Sequence, residues 1–215
     1  VTKHHFPQMQ HLGDVTNLKG AELMPVDVAV AGFPCQDCSV GNSNRTGLSG
    51  SRSGLFFELI RVVREMREYD INERGRTARD ARPRFLLLEN VVGLFSSGQP
   101  PGDDLRVVLE ETIRVADERL AVPRPPNGKW KSAGAVLGDE CSLAWCILSA
   151  EHFFIPQRRR RWFAVCDFNG HSAIQILFEP HRLSEFVAPG KSEPKDSAAG
   201  VAECFDISGE VSAMG

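Results

Sequence analysis

The sequence predicts an α/β fold organised around a buried strand that runs into a cysteine-bearing loop. Three observations carry this. An apolar run, Val26 to Ala31, breaks at Gly32-Phe33-Pro34 and delivers Cys35 into a polar stretch. A second run, Phe85-Leu86-Leu87-Leu88, ends the same way in Glu89-Asn90-Val91. Between them Leu55, Leu59, Val62, Val63 and Met66 recur at helical spacing, which predicts an amphipathic helix over about residues 54–69. Short apolar runs bounded by Gly and Pro read as buried strands of a parallel sheet, and strand–helix–strand is the unit from which such sheets are built. In open sheets of this kind the working groups sit just beyond the carboxyl ends of the strands. Pro34 fixes its own φ and keeps Phe33 extended, so the strand does not pass directly into a helix.

The 215 residues suffice for one α/β domain with a sizeable core. A hydrophobic content of 42% with 25% charged residues argues against a chain dominated by disorder or by membrane spans. The net charge of -3 gives no overall basic character, so any nucleic-acid contact must come from a local patch. Six cysteines scattered over a chain of this length do not form a secreted disulfide framework and suggest a reducing, cytoplasmic location. No apolar run reaches the length of a membrane span, so no membrane partner is expected. The first residue is Val1 rather than Met.

In chain order, Gly13-Asp14-Val15-Thr16-Asn17 reads as a turn, with Asp14 either a simple cap or an acid at the mouth of a site. Residues 41–54 form a long stretch rich in Gly and Ser, of the kind used for lids and binding loops. Arg61, Arg64 and Arg67 fall on the outward, solvated side of the 54–69 helix. An arginine-rich connector fills 70–84, a helix is predicted over about 103–120, and a proline-rich break follows at 123–128. Ser142–Ser149 and Trp162–Cys166 are the third and fourth strands. Beyond residue 168 the composition turns to Gly, Ser, Ala and acids, and 185–215 reads as poorly ordered.

Cys35 stands where a nucleophile would stand, but it also fits a small buried hydrophobe or a redox pair with Cys38. Pro34-Cys35-x-x-Cys38 is half of a zinc deaminase signature. The other half, His-x-Glu, is missing: none of His4, His5, His11, His152, His171 or His181 has a glutamate two residues on, and no metal site is read. Glu89 is a carboxyl flanked by Leu86–Leu88 and Val91, where desolvation disfavours the charged form and suits a proton donor. Its alternative is a helix cap. Pro156-Gln157-Arg158-Arg159-Arg160-Arg161 opens an apolar strand, and alternation sends Arg159 and Arg161 to one side. Guanidinium forks there suit phosphates and base carbonyls, although arginine runs also serve solubility alone.

These pieces resemble, in order and spacing, the DNA (cytosine-5) methyltransferases of bacterial and phage type. Gly32-Phe33-Pro34-Cys35-Gln36 is similar to that family's nucleophile motif, Glu89-Asn90-Val91 to its proton-donor motif, and Gln157 to Arg161 to its arginine motif. Gly13-Asp14-Val15 resembles its adenine-contacting turn, and Gly50 to Phe57 the end of its active-site loop and the helix that follows. The resemblance spans about residues 7–167 and implies a Rossmann-like S-adenosylmethionine-dependent methyltransferase sheet, incomplete at its N-terminus. Residues 1–167 are then a partial catalytic domain and 168–215 a tail or remnant of the recognition region.

By the resemblance, Cys35, Glu89, Arg159 and Arg161 are catalytic, and Asp14, Val15, Pro34 and Leu55 meet S-adenosylmethionine. Gln36, Ser39, Asn90 and Gln157 lie on the DNA side, with Asn90 also holding the Cys35 loop. The implied partner is double-stranded DNA with the target cytosine flipped out. The family's Phe-x-Gly-x-Gly cofactor turn, its ribose-binding acid and its recognition region find no match here. Weak or no activity of the isolated chain, dependence on a partner chain, and marginal stability are therefore expected.

Overall fold

The computed structural model describes residues 2–34, 54–153, 155–178 and 203–206. Its framework is a six-stranded mixed sheet in the order β1-β2-β5-β4-β3-β6. The strands are β1 (Val28–Gly32), β2 (Phe85–Val91), β3 (Ala133–Leu137), β4 (Ser142–Ser149), β5 (Arg160–Asp167) and β6 (Glu203–Asp206). The helices are a single turn α1 (Thr2–His5), α2 (Gly54–Asn72), α3 (Asp103–Ile113) and α4 (Ala173–Phe178). None of the described helices is long and apolar enough to cross a membrane.

The α/β expectation holds, and the two strands that anchored it are parallel neighbours, with Gly32 opposite Glu89. A wholly parallel sheet does not form. β3–β4 and β4–β5 are antiparallel, and β5 returns antiparallel against β2. The β3–β4 and β4–β5 connections are too short for the crossover of a dozen or more residues that parallel pairing needs. β2 also runs two residues past Glu89, so Glu89 and Asn90 are strand residues and not the start of a helix. β3 escapes sequence reading because Ala133-Gly134-Ala135 lacks the β-branched and aromatic residues that mark strands.

One face of the sheet carries the main core. Phe56, Ile60 and Val63 of α2 and Leu105, Val108, Leu109 and Ile113 of α3 pack on Leu86, Leu88, Trp145, Trp162, Ala164 and Cys166. The other face holds a smaller cluster, with Ala173, Ile174, Leu177 and Phe178 of α4 against Ala135, Ala144, Val165 and Leu87. Of the 168–215 tail, α4 thus packs on the sheet and β6 pairs parallel with β3.

The arginines of α2 are not the solvated row that periodicity implied. Arg67 is buried and donates to the Ala81 and Pro83 carbonyls, both at 2.7 Å. Burial pulls its pKa down to about 10, so it stays charged at neutral pH. Arg61 reaches across to another segment, described below. The 70–84 connector is likewise ordered by one acid: Asp70, wholly buried, is bonded by Arg74 and Arg82 and paired with Arg76.

Among the described strands β1 is an edge, and Val28 and Val30 are 50% and 69% exposed on the face away from α2. An apolar edge with free backbone groups invites pairing with another chain. Val30→Lys is therefore expected to reduce self-association in light scattering while moving stability by no more than about 0.5 kcal/mol, as for other exposed positions. Undiminished association would place the adhesive surface elsewhere.

Candidate active site at the carboxyl ends of β1 and β2

Parallel pairing of β1 and β2 sets their carboxyl ends side by side, and the antiparallel return of β5 brings its first residues to the same place. Val91 faces Arg161 in the register, and Glu89 faces Phe163. Glu89 and Arg161 therefore share one face of the sheet as diagonal neighbours. They meet: Arg161 Nε lies 3.0 Å from Glu89 Oε1, with the two side chains 24% and 36% exposed. The apolar wall expected around Glu89 is replaced by a guanidinium and partial solvent. Glu89 Oε2 turns the other way, lying 3.1 Å from where a Cβ on Gly32 would sit. Glu89 thus spans from the arginine strand to the strand that leads into Cys35, and the absence of a side chain at position 32 makes the room.

Asn90 points to the opposite face and is buried. Its Nδ2 donates to the Phe33 carbonyl at 3.2 Å, and its Oδ1 accepts from the Val91 amide at 2.7 Å. Asn90 therefore fixes the Phe33-Pro34 exit from β1, two residues before Cys35. Phe33 is buried against Phe56 of α2, ring centroids 5.0 Å apart, which anchors the first turn of that helix and with it Leu55. Pro34 is exposed at the same corner. Phe33 and Gly32 matter here for packing and space. The sequence signal for both was the abrupt end of the apolar run, which marks a strand exit without saying what it packs against.

Asp14 and Val15 lie on a segment laid along α2, where Asp14 caps the 3-10 turn Val15–Asn17. Asp14 Oδ1 accepts from the Thr16 amide at 3.0 Å and the Thr16 hydroxyl at 2.9 Å. Those bonds hold the carboxyl of this exposed residue below its ordinary pKa. The cap and the mouth-of-site assignments for Asp14 are thus compatible.

Gln157 and Arg159 are exposed on the connection before β5, where the Arg159 amide donates to the Gln157 carbonyl at 2.9 Å. The structure joins Glu89, Arg161, Asn90 and the Phe33-Pro34 exit into one cluster; Arg159 and Gln157 stand on its approach. Cys35, Gln36, Ser39 and the 41–53 part of the predicted loop lie outside the described residues. Cys141, Cys146 and Cys166 are buried, and burial raises their thiols, to about 12 for Cys141 and Cys146. Those three are core residues, unlike a cysteine placed at a strand exit.

A cavity of about 650 Å³ lies at the other end of the strands, lined by Arg67, Arg79, Asp117, Arg119, Glu140 and Phe168 among others. Its arginines are committed: Arg67 to backbone carbonyls, Arg79 to Glu140 and Arg119 to Asp117. It is remote from the Glu89–Arg161 pair.

A family model described as C-5 cytosine-specific DNA methylase matches residues 2–114. A DNA N-6-adenine-methyltransferase of Escherichia phage P1 is 27% identical, covering 98% of this chain and 29% of that protein. The type II methyltransferase M.NgoBV of Neisseria gonorrhoeae is 28% identical over 75% of this chain and 30% of its own length. Among solved structures, the S. pombe Dnmt2 methyltransferase aligns with a TM-score of 0.46 at 19% identity, over 90% of this chain and 46% of that one. The chain thus spans under a third of the length of these two curated relatives.

Proposed function

The chain belongs to the C-5 cytosine-specific DNA methylase family, whose model it matches over more than half of its length, and from that premise we propose that its Cys35–Glu89–Arg161 constellation serves methylation of cytosine at ring position 5 in DNA. The observation that carries this is the placing of Glu89, with one carboxylate oxygen on Arg161 and the other beside the strand that leads to Cys35.

Carbon 5 of cytosine is a poor nucleophile until electrons are pushed into the ring. The Cys35 thiolate forms an S–C bond at carbon 6 while Glu89 hydrogen-bonds or protonates ring nitrogen 3, which leaves carbon 5 enamine-like. Arg161 contacts the carbonyl oxygen of the base, and Arg159 supports the base and its phosphate. After transfer, loss of the carbon-5 proton restores the 5,6 double bond and expels the thiolate. Cysteine suits both ends of this sequence, as a strong nucleophile and a competent leaving group.

S-adenosylmethionine, when bound, supplies an electrophilic methyl group. The residues present fit its adenine end: the Asp14–Val15 turn offers a carboxylate and an apolar surface on α2, and Leu55 and Pro34 lie near the Phe33–Phe56 contact. Asn90 keeps the β1 exit in place, and the same proposal assigns Gln36, Ser39 and Gln157 to DNA contacts. The partner is double-stranded DNA with the target cytosine turned out of the stack, since its ring face is otherwise shielded. A partner chain supplying further cofactor-binding segments belongs to the same proposal.

The test is to follow a labelled methyl group from S-adenosylmethionine into duplex DNA and digest the product to nucleosides. Label in 5-methylcytosine is expected, slowly for the chain alone and faster with a partner chain that supplies the cofactor-binding segments. Label in N6-methyladenine, the position named for the phage P1 relative, would overturn the proposal.

A further inference from the structure

Apolar burial holds the Asp14–Val15 turn only in part, with Val15, Leu18 and Leu23 half-buried. Leu12 and Met24, at either side, are 55% and 72% exposed, and Gly20 is the buried residue of the segment. The rest of what holds the segment is polar and comes from α2, more than forty residues away. Arg61 divides its guanidinium three ways: Nε donates to Glu58 at 2.8 Å, Nη1 to Glu65 at 2.7 Å, and Nη2 to the Leu18 and Val15 carbonyls at 3.0 and 3.4 Å. Glu65 completes the clasp, its second oxygen accepting from the Gly20 amide at 2.7 Å. At Gly20 the segment lies so close to α2 that a Cβ would clash with the Val62 carbonyl oxygen. A planar fork with five donors holds these partners in a set geometry that a lysine cannot copy.

We infer that Arg61, braced by Glu58 and Glu65, is a positioning residue for cofactor binding, setting the Asp14–Val15 turn at a fixed height on the helix that also carries Leu55. The inference rests on the cofactor role proposed above for Asp14, Val15 and Leu55. Leu55 lies six residues before Arg61, which is about 9 Å along a helix. The clasp therefore makes one rigid body of two groups expected to touch the same adenine, and removes the cost of ordering the turn when the ligand arrives.

The test uses the isotope-labelled 215-residue protein titrated with adenosine and with S-adenosylhomocysteine, read by amide chemical shifts. Wild type is expected to respond at Asp14 and Val15. Arg61→Met is expected to weaken both ligands by the same factor of about 10, because the loss falls on their shared adenine. Arg61→Lys and Glu65→Gln should fall between, and either serves if Arg61→Met does not fold. Val63→Ala, which thins the buried side of the same helix away from the clasp, separates positioning from general destabilisation: it is expected to lower Tm and leave adenosine binding unchanged. Arg61 variants that bind as wild type does, or that weaken only as far as Val63→Ala does at equal Tm, would overturn the inference and leave the cofactor assignment standing. A wild type that shows no response at Asp14 and Val15 would overturn the cofactor assignment itself, and the inference with it.

Discussion

Glu89→Gln is expected to lower methyl transfer to cytosine by about 10²- to 10⁴-fold, the range for loss of a positioned proton donor. The substitution keeps the shape of the side chain and removes its ability to deliver a proton to ring nitrogen 3. It also breaks the 3.0 Å pair with Arg161, but its side chains are 24% and 36% exposed, so its loss costs stability no more than about 1 kcal/mol. Single-turnover rates, with DNA affinity and Tm measured in parallel, check this: a rate that collapses while affinity and Tm hold is the expected signature. A rate within threefold of wild type would remove Glu89 from the chemistry and leave it a spacer for Arg161.

The largest effect on stability is expected at Asp70, far from that chemistry. Its carboxylate is fully buried and takes hydrogen bonds from the Arg82 amide and guanidinium at 3.0 Å and from Arg74 at 2.8 Å, with Arg76 at 3.5 Å. Asp70→Ala leaves these cations around an empty place, and breaking a buried pair from one side costs about 3–5 kcal/mol. For a protein of this size that is a fall in Tm of roughly 6–20 °C. The same site sets an acid limb. Burial alone would push Asp70 upward, but the bonds from Arg82 and Arg74 outweigh it and bring its pKa to about 2. A group lowered from an ordinary 3.8 to about 2 stabilises the fold above pH 4 and loses that contribution as pH falls toward 2. The amount is about 2 kcal/mol, and unfolding curves between pH 5 and 2 should show it in wild type and not in Asp70→Ala. A variant that unfolds within 1 kcal/mol of wild type would mean that the arginines of this connector are satisfied by solvent.

Much of this arrangement is legible in the sequence because it depends on where apolar runs stop. The ends of Val26–Ala31 and Phe85–Leu88 located Gly32, Phe33, Glu89 and Asn90, and parallel pairing then made neighbours of them. The arginine run was legible as a cluster but not as a partner of Glu89. That meeting depends on β5 pairing antiparallel with β2, a contact between segments far apart in the chain that the arginines themselves do not encode. The partners of Arg61 and Arg67 escape the sequence for a related reason. Helical periodicity marks an arginine as outward from the sheet, but it says nothing of the second layer, where the 13–24 segment and the 78–84 connector lie over α2 and consume those charges. The flanking leucines imply a desolvated Glu89, yet alternation along β2 sends Leu86 and Leu88 to the opposite face and leaves the carboxylate to Arg161.

The most direct test of the central claim is covalent trapping. The protein is incubated with S-adenosylmethionine and duplex DNA carrying 5-fluorocytosine, whose carbon-5 fluorine cannot leave as a proton, so an enzyme that has added to carbon 6 stays attached. The expected result is a denaturation-resistant protein–DNA adduct, formed slowly, dependent on cofactor, lost in Cys35→Ser and strongly slowed in Glu89→Gln. A folded chain that binds both ligands yet forms no adduct would contradict the account and leave these residues as the remnant of a site.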